Sequence, residues 1–189
     1  MIRTDAKVLV EIQDPRIKHL FFEVHGRLPT HDQVTVAALI EKVTDSAEGM
    51  TDNDLAYAAT HSKPEIDGII AEYVRDSRVT LHLGGLKTEE SDLLVMGVIA
   101  HELAHIVLRH GQISLVANVM MGLRPDPICD TEDSKILDEW HEDHADLLAY
   151  LWGFERETEA VWNGFERSRK ARWAVDIYTI TPAMGVTSD

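Results

Sequence analysis

One cysteine, Cys129, is all the chain has. That excludes an intrachain disulfide framework and fits a reducing compartment. Also missing is any apolar run long enough to span a bilayer, so no membrane association is expected. The start, Met1-Ile2-Arg3-Thr4-Asp5-Ala6-Lys7, lacks the basic-then-apolar pattern of a signal peptide. Together these absences lead to the expectation of a cytoplasmic protein. Basic residues are scarce: 18 Lys and Arg stand against 33 Asp and Glu, a formal net charge of -15. Such a surface repels phosphate backbones, which argues against nucleic acid as a partner. Internal repeats and low-complexity segments are absent as well. The 189 residues suit one domain, 1–189, with a core of its own; the patternless tail from about Thr181 is expected to be mobile.

Periodicity and punctuation predict the elements. Lys7 to Ile12 alternates as a short strand. Asp14 reads as a helix cap followed by Pro15 at the first helical position, with the helix from Arg16 to His25 stopped at Gly26. Thr30 opens a second helix to about Ala47, its apolar positions including Val36, Leu39, Ile40 and Val43. Gly49 to Asn53 is a loop, Leu55 to His61 fits helix or strand, and Pro64 opens a helix from Glu65 to Arg75. Arg78 to Leu83 is the clearest strand, ended by Gly84-Gly85. A long helix follows, capped by Thr88 or Ser91, to about His110 and Gly111. Beyond it come a short apolar helix from Ile113 to Met121, a loop with Pro125 and Pro127, a helix from Ser134 to Trp152 ended by Gly153, and a last helix from Glu155 to Arg172.

The long helix carries the chemistry. It reads Leu93-Leu94-Val95-Met96-Gly97-Val98-Ile99-Ala100, then His101-Glu102-Leu103-Ala104-His105, then Ile106-Val107-Leu108. Histidines four apart lie one turn above each other and can share a metal ion, and the glutamate beside the first can serve as general base. A helix apolar all round is buried. Two imidazoles and a carboxylate there need a partner, and a divalent cation is one. A catalytic zinc takes three protein ligands and leaves one position open. His110, five residues past His105, turns away from the metal face on a regular helix and is read as structural or solvent-facing, like His141. The third ligand is therefore expected from Glu139-Trp140-His141-Glu142-Asp143-His144-Ala145-Asp146.

His101 to Gly111, followed by Glu142-x-x-Ala145-Asp146, resembles the gluzincin zinc metallopeptidases, in particular the HtpX-type family and its soluble relatives. The ImmA/IrrE-type and Lit-type peptidases share a similar two-part motif. The resemblance covers roughly residues 93–154. It implies a zincin-like α+β fold, mostly helical with a small β-sheet beside the motif helix. It also implies Zn²⁺ as cofactor, a peptide or protein as substrate, His101, His105 and Glu142 as metal ligands, and Asp146 as support for a ligating histidine. Helix geometry adds that Glu142, Ala145, Asp146 and Ala149 share one face, where small residues permit close approach. The opposite stripe, Leu137, Trp140, His144, Leu147, Leu148 and Leu151, makes His144 the alternative ligand if that side meets the motif helix.

On this reading Glu102 takes a proton from the attacking water and passes it to the leaving amine. Tyr150 and Tyr178 are candidate oxyanion helpers, and Arg78 to Leu83, if an edge strand, could pair with an extended substrate. A metal-containing regulatory or interaction module without turnover is the alternative, and a hydrolase of some non-peptide amide a second one. Cys129 lacks a neighbouring base and is not read as a nucleophile. Trp152, Trp162 and Trp173 are read as core fillers, and the Arg167 to Arg172 charges as compensating a helix end.

Overall fold

The computed structural model describes residues 8–47, 50, 55–61, 78–87, 89–114 and 132–165. The expected helix from Glu65 to Arg75, the Pro125–Pro127 loop, Cys129, the Arg167 to Arg172 charges, Trp173, Tyr178 and the tail lie outside them.

The chain starts as expected. After the short strand β1 (Leu9–Glu11), Asp14 accepts hydrogen bonds from the backbone N–H of Arg16 at 2.8 Å and of Ile17 at 3.2 Å. With Pro15 in the first turn, this launches α1 (Pro15–Arg27), which runs past Gly26 and buries Ile17, Leu20, Phe21 and Val24. The next segment departs from expectation. Instead of one helix to Ala47, α2 (Thr30–Leu39) gives way at once to β2 (Ile40–Thr44). Ile40 has extended backbone, and Ile40 and Val43 are fully buried. Helical spacing fits those residues too. Pairing on both sides of a β-branched segment outweighs it.

The ambiguous stretch resolves as a strand, β3 (Tyr57–His61), and β4 (Arg78–His82) falls where predicted. The four described strands lie in the order β1-β2-β4-β3. β2 is parallel to both β1 and β4, while β3 runs antiparallel to β4. β4 is thus interior, hydrogen-bonded on both sides, and among the described strands β3 is its outer neighbour. The expectation that an extended peptide could pair with Arg78 to Leu83 is thereby corrected.

Helix α3 (Asp92–Val107) is the centre of the molecule. Ser91 caps it, its hydroxyl accepting from the Leu94 N–H at 3.2 Å. From Val95 to Ala104 every residue except Glu102 is buried. Such a helix needs cover on all sides. α1, α2, β3, α4 (Glu132–Leu151) and α5 (Glu155–Phe165) provide it. Arg16 joins α1 to the start of α3, its Nε donating to Asp92 Oδ1 at 2.8 Å. Gly153, in the left-handed region at φ 88°, ends α4 and lets α5 fold back. Among the described residues no helix is long and apolar enough to cross a membrane.

Gly97 explains how α5 comes so close. A Cβ there would collide with the Glu157 carbonyl oxygen and sit 2.7 Å from Val161 Cγ2. Backbone cannot yield as a side-chain tip can. Gly97→Ala is expected to cost about 1–3 kcal/mol through overpacking, more than helix propensity returns. Urea unfolding of the two proteins checks this.

Candidate metal centre

The site is assembled from two helices. α3 presents His101 and His105 one turn apart, and α4 brings Glu142 over them. Ala145 and Ala149 on the same face of α4 are fully buried, so no bulky side chain separates the helices. His101 Nε2 and His105 Nε2 lie 2.9 Å apart. Glu142 Oε2 is 3.2 Å from the first nitrogen, and Oε1 is 3.3 Å from the second. Ligand atoms of a tetrahedral zinc with bonds of about 2.0–2.1 Å stand about 3.3 Å apart. The three donors therefore fit one cation with little adjustment. Two imidazoles and a carboxylate are also a known donor set for a zinc with an open fourth position.

Each histidine is held from behind. His101 Nδ1 lies 2.7 Å from Asp146 Oδ1. A carboxylate accepts, so the ring donates from Nδ1 and turns Nε2 toward the centre. Asp146 is itself fixed, its Oδ2 accepting from the Trp162 indole N–H at 2.7 Å. This bond was not legible as a motif. Trp162 sits on the following helix, no spacing rule links it to Asp146, and it reads as core filling. It does pack against Leu147 and Tyr150.

The electrostatics point to a cation. Burial alone would push His101 down, but hydrogen bonds to Asp146 and Glu142 outweigh it and hold the imidazole up at about 9. Burial would raise Glu142, yet the two imidazoles keep its carboxyl well below the usual carboxylate range. In the metal-free chain a proton thus occupies the place suited to a metal. That raised value stabilises the metal-free fold below pH 6.5, and the contribution is lost as pH rises through about 9. Metal entry must expel the proton. Zinc affinity is expected to rise about tenfold per pH unit from neutrality toward 9, which competition with a colorimetric chelator would measure.

The remaining candidates fall into place around the triad. Glu102, partly exposed, lines a cleft of about 390 Å³ together with His101, His105 and Glu142. Tyr57, Ala58 and Thr60 of β3 form another wall of it. His144 is not part of the donor group. It packs on Trp140 at 3.8 Å between ring centroids, on a side of α4 where Trp140 and Leu151 are at least half exposed. Tyr150 stacks on Trp162 and is not among the described residues lining the cleft. His110 and His141 are both buried, and His110 touches His105. Burial and the neighbouring imidazoles of His105, His141 and His144 push His110 down to about 3.

A buried helix bearing two histidines and a glutamate, faced by a carboxylate from a second helix beside a small sheet, defines the gluzincin type of metallopeptidase. Residues 30–124 match peptidase family M48, and the chain belongs to this family of zinc metallopeptidases. The matched stretch holds His101, Glu102 and His105; Glu142 and Asp146 lie beyond it, so their placement rests on the geometry. No curated protein and no solved structure matches the chain.

Proposed function

We propose that this chain is a zinc-dependent peptidase that hydrolyses peptide bonds in a peptide or protein substrate, with Glu102 as general base. The observation that carries this reading is the convergence of His101, His105 and Glu142 at the wall of a cleft that Glu102 also lines. Zinc bound by those three supplies Lewis acidity toward a water molecule and toward the substrate carbonyl. His101 and His105 offer Nε2 lone pairs, and Glu142 contributes the balancing negative charge. Asp146, steadied by Trp162, holds the His101 ring in the tautomer that leaves Nε2 bare. Glu102 accepts the proton of the attacking water and returns it to the amine nitrogen as the C–N bond breaks. An extended substrate would lie in the cleft that Tyr57, Ala58 and Thr60 of β3 help to wall. The single cysteine supports action in the cytoplasm.

The test is cleavage of a quenched-fluorescent peptide library by the purified chain. Cleavage should stop with a chelator and return with added zinc. Zinc binding without cleavage of any member would overturn the proposal and leave a metal-containing module that regulates or docks.

A further inference from the structure

His105 has a partner that helix geometry alone would deny it. Continued as a regular helix, α3 would carry His110 about 140° around the axis from His105. The helix instead ends at Val107, and Arg109 adopts the left-handed conformation, φ 58°. That conformation is uncommon for a residue with a side chain. It redirects the chain so that His110 swings back and places its Nδ1 2.8 Å from Nδ1 of His105. The His110 ring is only 3% exposed and lies flat against His141, with centroids 4.1 Å apart and planes 16° from parallel. His141 in turn has Ser114 Oγ 3.5 Å from its Nδ1. The backbone turn and the stacked ring both fix where His110 points.

Two facing ring nitrogens form a hydrogen bond only when one carries a hydrogen and the other a lone pair. Nε2 of His105 faces Glu142 and His101, so to bind a cation it must be bare. The hydrogen of the neutral ring is then on Nδ1 and is donated to His110. His110 accepts at Nδ1 and keeps its own hydrogen on Nε2. The two rings are locked into complementary tautomers, much as Asp146 locks His101. The supports differ: a carboxylate stands behind one histidine, a neutral imidazole behind the other.

We propose that His110 is a positioning residue for the metal centre, accepting the Nδ1 hydrogen of His105 so that Nε2 is presented to the cation, with the left-handed turn at Arg109 as the device that brings it there. The inference rests on the metal-site reading above. It is tested with His110→Phe, which fills the space without an acceptor, and His110→Asn, whose side-chain oxygen can stand near the former Nδ1. Zinc affinity by chelator competition should fall about 10- to 100-fold in His110→Phe and recover to within a few-fold of the parent in His110→Asn. Equal affinity in His110→Phe, or an equal loss in both variants, overturns the proposal. Should a variant fail to fold, the parent protein decides. Long-range ¹⁵N–¹H spectra of its zinc-loaded form should show His105 as the Nδ1–H tautomer and His110 as the Nε2–H tautomer. A hydrogen on His110 Nδ1 overturns the assignment. A parent protein that takes up no zinc refutes the metal-site reading itself, an outcome distinct from any of these.

Discussion

Glu102→Gln should leave the chain folded and able to bind zinc while lowering peptide hydrolysis about a hundredfold to ten-thousandfold, the usual worth of a general base. Glutamine matches glutamate in size and keeps a polar tip toward the cleft. What it lacks is an oxygen that takes a proton at neutral pH. Glu102 is the one member of the Val95 to Ala104 run that is not buried, so the change disturbs no packing in the core. It is also not part of the donor group formed by His101, His105 and Glu142. Activity and metal content should therefore separate. Turnover measured beside zinc content by elemental analysis gives both numbers on one preparation. Unchanged turnover would take the base role away from Glu102, and loss of zinc would make it a ligand instead.

The second large effect concerns metal alone. Glu142→Ala is expected to weaken zinc binding by more than the about hundredfold that losing a supporting residue costs. The carboxylate supplies a direct donor and the only negative charge among the three. It contacts both imidazoles, at 3.2 and 3.3 Å, so its removal strips both of a partner at once. His144→Ala is the matched control from the same helix and should keep zinc affinity within a few-fold, since His144 packs on Trp140 and is not part of the donor group. Calorimetric zinc titration of the two variants distinguishes the two candidate ligands. The reverse outcome, with His144→Ala losing zinc and Glu142→Ala keeping it, would require α4 to turn its other face to α3.

Features written locally in the sequence were the legible ones. Asp14-Pro15, Ser91 and Gly153 act through backbone groups a few residues away, and each ends or begins a helix where the pattern placed it. The i, i+4 histidines and the alanine face of α4 are also local, and they define which sides of two helices can meet. What escaped depends on distant partners or on one unusual dihedral. Ile40 to Thr44 has helix-compatible spacing and becomes a strand only because β1 and β4 flank it. The interior position of β4 follows from β3, which the sequence left undecided between helix and strand. A regular helix turns His110 away from the metal-facing side, and Arg109 breaks that regularity. The Trp162–Asp146 bond needs α5 folded back beside α4, and residue spacing does not encode that return.

The division of the donors between α3 and α4 also shapes how the molecule comes apart. Both imidazoles belong to one helix and the carboxylate to another, 37 residues further along the sequence from His105 to Glu142. A cation seated there would tie His105 to Glu142 across that stretch, and the entropy lost in closing it returns only when the chain unfolds and lets the metal go. Binding energy at such a two-helix metal site is folding energy as well. Stripping metal from a loaded chain is therefore expected to slacken the grip of α3 on α4 and to leave a more perishable protein.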